Sequence, residues 1–501
     1  MKAGMKTGRA LVGGRWHTAA ETGAETGAET FAVTFAVTFA VTNPATGEIV
    51  GRAVECGPEV VAEAVDAAAA ALPGWRAMPA HERAAIMRRA AALLAERAPE
   101  IGATLTAEQG KPLGEAVGEV VAGADHLLWS AEETRRVYGE TIPSTSADTR
   151  IMVLPEPVGV VAGITPWNFP VSMVTRKLGP ALAAGCTVVL KPSELTPLSA
   201  VAVAECLADA GFPPGVFNLV TTTRPQDFTD VVMADPRVRK ISFTGSTAVG
   251  RHLIRQSAND VKRLSVELGG HAPVLVFPDA DVAAAAAGVA RAKFMNAGQA
   301  CTSPNRIFVH ESVAEEFTAE LARLADTIVV GDGAADGVTM GPLIDERAVA
   351  KVRRHVEDAL AAGARRVTAR EPGEPGGRFH PPTVLAGVTD AMLVCREETF
   401  GPLAPVLTFS GDGADAEDAV VARANATPYG LAAYVWTRDL ARVVRVGEAL
   451  RFGILSINGA PLAPPQGPFG GVKGSGYGRE GGHHGVEDFV ERKYVSLGLG
   501  R

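Results

Sequence analysis

VGVVAGITPWNFP, residues 158–170, changes character halfway along. Its first seven residues are almost wholly apolar; the rest is a loop pinned by two prolines. A short apolar run bounded by turn residues fits a strand buried on both faces. Three similar runs follow, TVVL (187–190), VFNLV (216–220) and KISF (240–243), with helix-like segments such as 195–211 between them. Strands alternating with helices imply βαβ units and a mostly parallel sheet. A second series runs from PVLVF (273–277) through RIFVH (306–310) and a helix at 312–326 to GILSIN (453–458). Two α/β domains in tandem is the reading.

Upstream, residues 58–138 read as helical, with Pro73-Gly74 as a break and a new helix starting near Pro79. Ile86, Leu93 and Leu94 mark that helix's apolar face. Before it lies a repeat of period four, ETGA then FAVT, within residues 21–48. No solenoid has that period, and one FAVT copy makes a strand where three make an over-long one. The repeat reads as a tolerated expansion near a terminus.

At 501 residues the chain can bury sizeable cores, and its 47% hydrophobic and 21% charged residues are ordinary for a globular protein. A net charge of −8 argues against a nucleic-acid partner. No run of 18 apolar residues is present, so no membrane helix is expected. The N-terminus does not read as a signal peptide. Five scattered cysteines with no CxxC pair suggest neither a disulfide framework nor a metal site, and a reducing cytoplasm fits them.

Four segments at strand–loop boundaries can carry chemistry. FTGSTAVG (243–250) joins a strand to a helix start through Gly245, a place that accepts phosphate or serves as a plain turn. TPWNFP (165–170) holds Asn168 in a rigid loop, where its amide either caps the loop or donates to an oxyanion. SVELGG (265–270) puts Glu267 at a strand end, as a surface carboxylate or a desolvated base. FMNAGQACTS (294–303) sets Cys301 in an amide-rich loop, unlike a cysteine packed among Val, Leu and Ile. Each is ambiguous alone. Their joint presence is not.

From VTNPATGE (41–48) to KYVSLGL (493–499) the chain resembles the aldehyde dehydrogenase superfamily. TPWNFP, KPSELTP, FTGSTAVG, VELGG, FMNAGQAC, EETFGP and PFGGVKGSGYGRE stand in that family's order, and TRKLGPALAAGCTVVLKPSE is most similar to succinate-semialdehyde dehydrogenases. The resemblance implies a Rossmann-like NAD-binding domain (1–140 and 158–266) and an α/β catalytic domain (267–470). It also implies a small β oligomerisation flap (141–157 and 481–501), hence a homodimer or homotetramer. Cys301 is then the nucleophile, Asn168 and the Cys301 N–H stabilise the oxyanion, and Glu267 activates the hydrolytic water. NAD, with NADP possible, is held by Thr165, Trp167, Lys191, Ser193, Glu194, Gly245, Ser246, Leu268, Glu398 and Phe400. Glu194 facing the adenosine ribose favours NAD, because a 2′-phosphate there meets like charge. No metal is implied.

The implied reaction is NAD(P)-dependent oxidation of an aldehyde to an acid, with a semialdehyde such as succinate semialdehyde as substrate. Arg176, Met295 and Ala463 fall at substrate-binding positions. Succinate-semialdehyde dehydrogenases carry arginine and serine at the last two, and a second cysteine where Ser303 stands. His271 and Thr222 are further departures from the family pattern. The alternatives are a broad-specificity aldehyde dehydrogenase, a CoA-acylating enzyme (disfavoured by Glu267), a Cys–His hydrolase using His310, and a non-enzymatic scaffold.

Overall fold

A computed structural model describes residues 6–19, 34–35, 37–369, 377–459 and 463–500. Five parallel strands form the centre of the first sheet. In spatial order they are Arg263–Glu267, Val238–Thr244, Val160–Ile164, Thr187–Lys191 and Phe217–Leu219. Side chains alternate between faces along each strand. Val160 and Ala162 therefore pack with Val61 and Val65 of the helix Pro58–Ala77, while Val161 packs on the other face with Leu178 and Leu182. Helices thus cover both faces, which is why the strands read as unbroken apolar runs.

The chain starts at Val160–Ile164, builds outward through Thr187–Lys191 and Phe217–Leu219, then crosses back to Val238–Thr244 on the opposite side. The order of strands reverses there. At such a switch point the loops leaving the carboxyl ends diverge and open a crevice. The loops in question are TPWNFP, after Ile164, and TGS, after Phe243.

The second sheet has seven strands, with Leu403–Phe409, Pro304–His310, Ala272–Val276 and Ala432–Trp436 at its centre, all parallel. Gly269-Gly270, Cys301 and Glu398 to Phe400 each immediately precede one of these strands. The amino ends of the second sheet therefore supply one wall of the crevice and the carboxyl ends of the first supply the other. A third sheet pairs Val490–Gly498 antiparallel with Thr149–Pro157 over nine residues, with Glu140–Ile142 along its edge.

Two expectations need amendment. The helix Pro58–Ala77 runs through Pro73 rather than breaking there. Trp75 explains this: it is buried, and its Nε1–H donates to the Leu182 carbonyl at 3.2 Å, so tertiary packing holds the last turn. The helix Ala80–Glu96 does begin where expected. Of the four-residue repeat, 20–33 and 36 lie outside the described residues. The final copy forms most of the strand Thr38–Thr42, antiparallel to Ile49–Val54, with Val41 buried against Ala53 and Leu198.

One buried carboxylate ties the helical layer together. Glu108, at the end of the helix Ala98–Gln109, accepts the N–H groups of Leu198 and Ser199, each at 2.8 Å, at the start of the helix Pro197–Asp209. Burial pushes its carboxyl up to about 7 although those bonds pull the other way. Glu108→Ala should lower the denaturant midpoint by an amount equivalent to roughly 1–3 kcal/mol, because two helix-start donors lose their acceptor. An unchanged midpoint in a urea titration would show that the cap contributes nothing.

Candidate active site

The two loops that face each other across the crevice are held by buried polar groups. Lys111, whose side chain is 1% exposed, donates to Glu119 at 2.6 Å and to the Asn168 carbonyl at 2.8 Å. Glu119 also accepts the N–H groups of Val171 and Ser172, capping the helix Ser172–Ala184 directly after TPWNFP. Facing it, Asn296, Ala297 and Gly298 all adopt left-handed backbone with φ of 50°, 53° and 72°. Such a run is strained for the first two and persists only when its surroundings fix it. Asn296 receives Gln109 Nε2–H and donates its own Nδ2–H to the Asn168 carbonyl at 2.9 Å. Gln299 donates to Asn296 and Pro342 and accepts from Ile344.

The Asn168 side chain is fixed by the same network. Its Nδ2 donates one hydrogen to the Gln299 carbonyl at 3.0 Å. An amide nitrogen carries two hydrogens, so a second remains, and Asn168 lines the same cleft as Cys301. Glycine at 270 is obligatory, since a Cβ there would lie 2.1 Å from the Cys301 carbonyl oxygen.

Cys301 is partly open to the cleft, yet burial pushes its thiol up to about 12, aided by Glu398 and opposed by Arg176. At rest it is a thiol. Glu267 is 3% exposed, and neither of its carboxylate oxygens has a hydrogen-bond partner among the described residues. Burial, and then the charge of Glu480, raise its pKa well above the carboxylate range; Lys177 and Arg176 act against them. Glu480 is the other half of this arrangement. Burial pushes it up too, but Lys177 at 2.8 Å and Arg176 at 3.8 Å hold it below the ordinary value. Two buried carboxyls are thus driven apart, one ready to carry a proton and one held as an anion.

The cleft holding Cys301 has a volume of 590 Å³. Trp167, Asn168, Gly245, Ser246, Leu268, Glu398 and Phe400 line it together with Cys301. Ser246 caps the helix Thr247–Ser257, and Asp345, also on the wall, caps Glu346–Ala361. Two helix starts thus face one cleft, a setting suited to phosphate. Glu398 accepts the Gly270 N–H at 2.8 Å, and burial raises its carboxyl to about 7. Trp167 and Phe400 meet edge to face at 5.8 Å. The remaining residues expected to hold the cofactor lie along the neighbouring strand end. The Thr165 N–H bonds the Lys191 carbonyl, Lys191 Nζ reaches Glu194 at 3.2 Å, and Ser193 accepts the Leu195 N–H.

Of the residues expected to meet the substrate, Arg176 is 4% exposed, and its Nε and one terminal nitrogen lack hydrogen-bond partners among the described residues. Its guanidinium sits 4.1 Å from the Phe469 ring centroid. Ala463 offers its carbonyl to His126. Met295, 37% exposed, lines another groove with Glu115, Phe294 and Leu324. His271 is buried beneath the Gly-Gly turn, and its backbone oxygen accepts from Arg306; Thr222 donates to Glu55. His310 removes the hydrolase alternative. It ends the strand that Cys301 precedes, about 20 Å away at ~3.3 Å per residue, and bonds Ser312 and the Gly411 carbonyl.

Lys111, Glu119, Asn296, Gln299, Lys177 and Glu480 carry this site and were missed as site residues. Glu480 stands inside PFGGVKGSGYGRE, so a signal existed for it. Lys177 stands inside TRKLGPALAAGCTVVLKPSE, and Asn296 and Gln299 inside FMNAGQACTS, so they too had a signal. Lys111 and Glu119 gave none, since a lysine or glutamate in a polar segment reads as surface.

Comparison with known proteins agrees with this geometry. Residues 33–495 match the model of the aldehyde dehydrogenase family. The chain is 51% identical to the succinate-semialdehyde dehydrogenase [NADP(+)] of Escherichia coli (strain K12), over 88% of this chain and 91% of that one. It is 51% identical to a 3-sulfolactaldehyde dehydrogenase of Pseudomonas putida, over 89% and 90%. The crystal structure of a succinate-semialdehyde dehydrogenase from Burkholderia pseudomallei superposes with a TM-score of 0.93 at 47% identity, covering 99% of each chain. With a thiol, a rigid amide and a raised carboxyl gathered at the switch point of a parallel sheet, and with these matches over nearly its whole length, this chain is an oxidoreductase that belongs to the aldehyde dehydrogenase family.

Proposed function

We propose that the protein oxidises a short aldehyde carrying a distal anion, a semialdehyde such as succinate semialdehyde, to the carboxylic acid. The observation that carries this is Arg176: a buried guanidinium two of whose nitrogens make no hydrogen bond among the described residues, with its Nε 3.8 Å from Glu480 and its charge felt at Cys301. The substrates in the two relatives' names, succinate semialdehyde and 3-sulfolactaldehyde, each bear an anionic group beyond the aldehyde. Arginine suits carboxylate and sulfonate alike.

The thiol sulfur attacks the aldehyde carbon, its proton passes to the Glu267 carboxylate and on to solvent, and the carbonyl oxygen becomes an oxyanion facing the free Asn168 Nδ2–H. A nicotinamide dinucleotide bound in the cleft supplies the acceptor for the hydride lost from that carbon. Trp167 and Phe400 would wall its apolar part, Glu398 would accept from a ribose, and the Ser246 helix start would receive the pyrophosphate. Water then attacks the thioester, Glu267 takes the water's proton, and the Cys301 thiol is restored as the acid leaves. Glu267 at this position supports hydrolysis over acyl transfer to CoA.

Lys191 and Glu194 at the adjoining strand end support an adenosine-ribose site with NAD preferred. The Glu194 carboxylate disfavours a 2′-phosphate, whereas the E. coli relative's name gives NADP(+). The domain ranges 1–140 with 158–266, and 267–470, follow from this reading, with Gly476–Tyr477 adding an edge strand to the first sheet. The flap read as 141–157 and 481–501 carries exposed Ile142, Leu154, Tyr494 and Leu497, which suit a second copy and support a homodimer or homotetramer. All five cysteines are free, which supports the reducing cytoplasm, and no helix among the described residues is long and apolar enough to cross a membrane.

Cys301→Ala should abolish turnover while NAD binding, read by fluorescence titration, persists. Residual turnover would remove the covalent step. In the native enzyme kcat should fall as pH drops through the raised Glu267 pKa, because the protonated carboxyl cannot accept the water's proton. Glu267→Gln should leave a burst of reduced nicotinamide, a slow steady state and no such limb. If that limb survives in the variant, another base is at work. Glu194→Ser should raise the NADP-to-NAD efficiency ratio roughly tenfold, about 1.4 kcal/mol. A native enzyme that already prefers NADP would show that Glu194 does not face the ribose.

A further inference from the structure

The helix Leu113–Glu133 packs along the helix Ser172–Ala184 and carries His126, a residue the catalytic reading leaves unused. His126 is 6% exposed, and its Nε2 lies 3.1 Å from the Ala463 carbonyl oxygen. A carbonyl only accepts, so Nε2 bears the hydrogen. Burial, and then the positive charge of Arg176, push the imidazole down to about 3; Glu480 acts against them. The ring is therefore neutral, and it places one N–H on the loop that begins at Ala463.

That loop is held at three further points. The Gly467 N–H bonds the Pro464 carbonyl, the Gly482 N–H bonds Pro465, and the Phe469 N–H bonds Glu480. Phe469 in turn carries the Arg176 guanidinium on its ring. The loop thus starts at His126 and ends at Arg176, and His126 and Arg176 feel each other's field. The orientation of the Ala463 carbonyl matters for chemical reasons. Turned toward His126, its oxygen is occupied. Released, it is free to turn toward the guanidinium at the other end of the loop, where it would compete with an incoming anion.

We propose that His126 is a specificity-determining positioning residue: its Nε2–H holds the Ala463 carbonyl away from Arg176 and so keeps that guanidinium open to the substrate's distal anion. This rests on Arg176 being the anion's receiver. The substitution His126→Phe fills the space without a donor, and His126→Gln restores a donor. The assay compares succinate semialdehyde with butyraldehyde, an aldehyde of similar length with no charge.

His126→Phe should raise KM for succinate semialdehyde roughly five- to tenfold, the worth of one hydrogen bond near a charge. kcat, KM for NAD and KM for butyraldehyde should change less than about twofold, on the same hydrogen-bond scale. His126→Gln should recover most of the loss. If His126→Phe does not fold, His126→Leu supplies the same test. Arg176→Met separates the two ideas. Should it leave the succinate semialdehyde to butyraldehyde ratio unchanged, the anion reading falls. A ratio that collapses in Arg176→Met but stays at the native value in His126→Phe overturns the role of His126 alone. So does an equal loss with both aldehydes, or a loss in kcat rather than KM, since either would mark a general structural defect.

Discussion

Everything at the catalytic seam depends on one buried ammonium. Lys111 sits between the Glu119 carboxylate and the Asn168 carbonyl, with Phe169 beneath it. Removing one partner of such a pair leaves an uncompensated charge out of water, at a cost of about 3–5 kcal/mol. The pair fixes the backbone of Asn168 on one side, and Asn296 fixes it on the other. A loop from the first sheet and a loop from the second are thereby locked in register. Asn168 and Cys301 stand on those two loops, so the pair sets their relation without touching the Asn168 amide or the Cys301 sulfur.

The electrostatics follow from the same desolvation. Burial pushes both the Cys301 thiol and the Glu267 carboxyl upward, because water is largely excluded from around them. Glu480 remains an anion only because Lys177 and Arg176 flank it. A neutral thiol resists oxidation and stray alkylation better than a thiolate does. Reactivity is deferred until a substrate and a proton acceptor are in place.

Much of this was legible in the sequence. The apolar runs gave strands within two or three residues, because strands covered on both faces have no polar alternation to confuse the reading. Glu267 and Cys301 stood at strand boundaries, where chemistry concentrates. What remained hidden was long-range pairing. Nothing in EQGKPL says that Lys111 will meet an asparagine loop 57 residues on, and nothing around His126 points to a carbonyl 337 residues away. Pro73 misled for a similar reason, since a tryptophan two residues later anchors the turn that a proline in isolation would end.

The seam also has a schedule. The partner of Lys177 is Glu480, 303 residues later in the chain, and the edge strand that pairs beside Glu267 is Gly476–Tyr477. Chains emerge from the ribosome from the amino end, and contacts of such sequence separation form last. A nascent chain can build most of the first sheet and lay down the cysteine loop while Lys177 still lacks its carboxylate. Glu267 gains its edge strand, and Lys177 its carboxylate, only once residues 476–480 have been made and folded back. Until then the cysteine loop stands beside two buried cations, Arg176 and Lys177, that lack their shared anion.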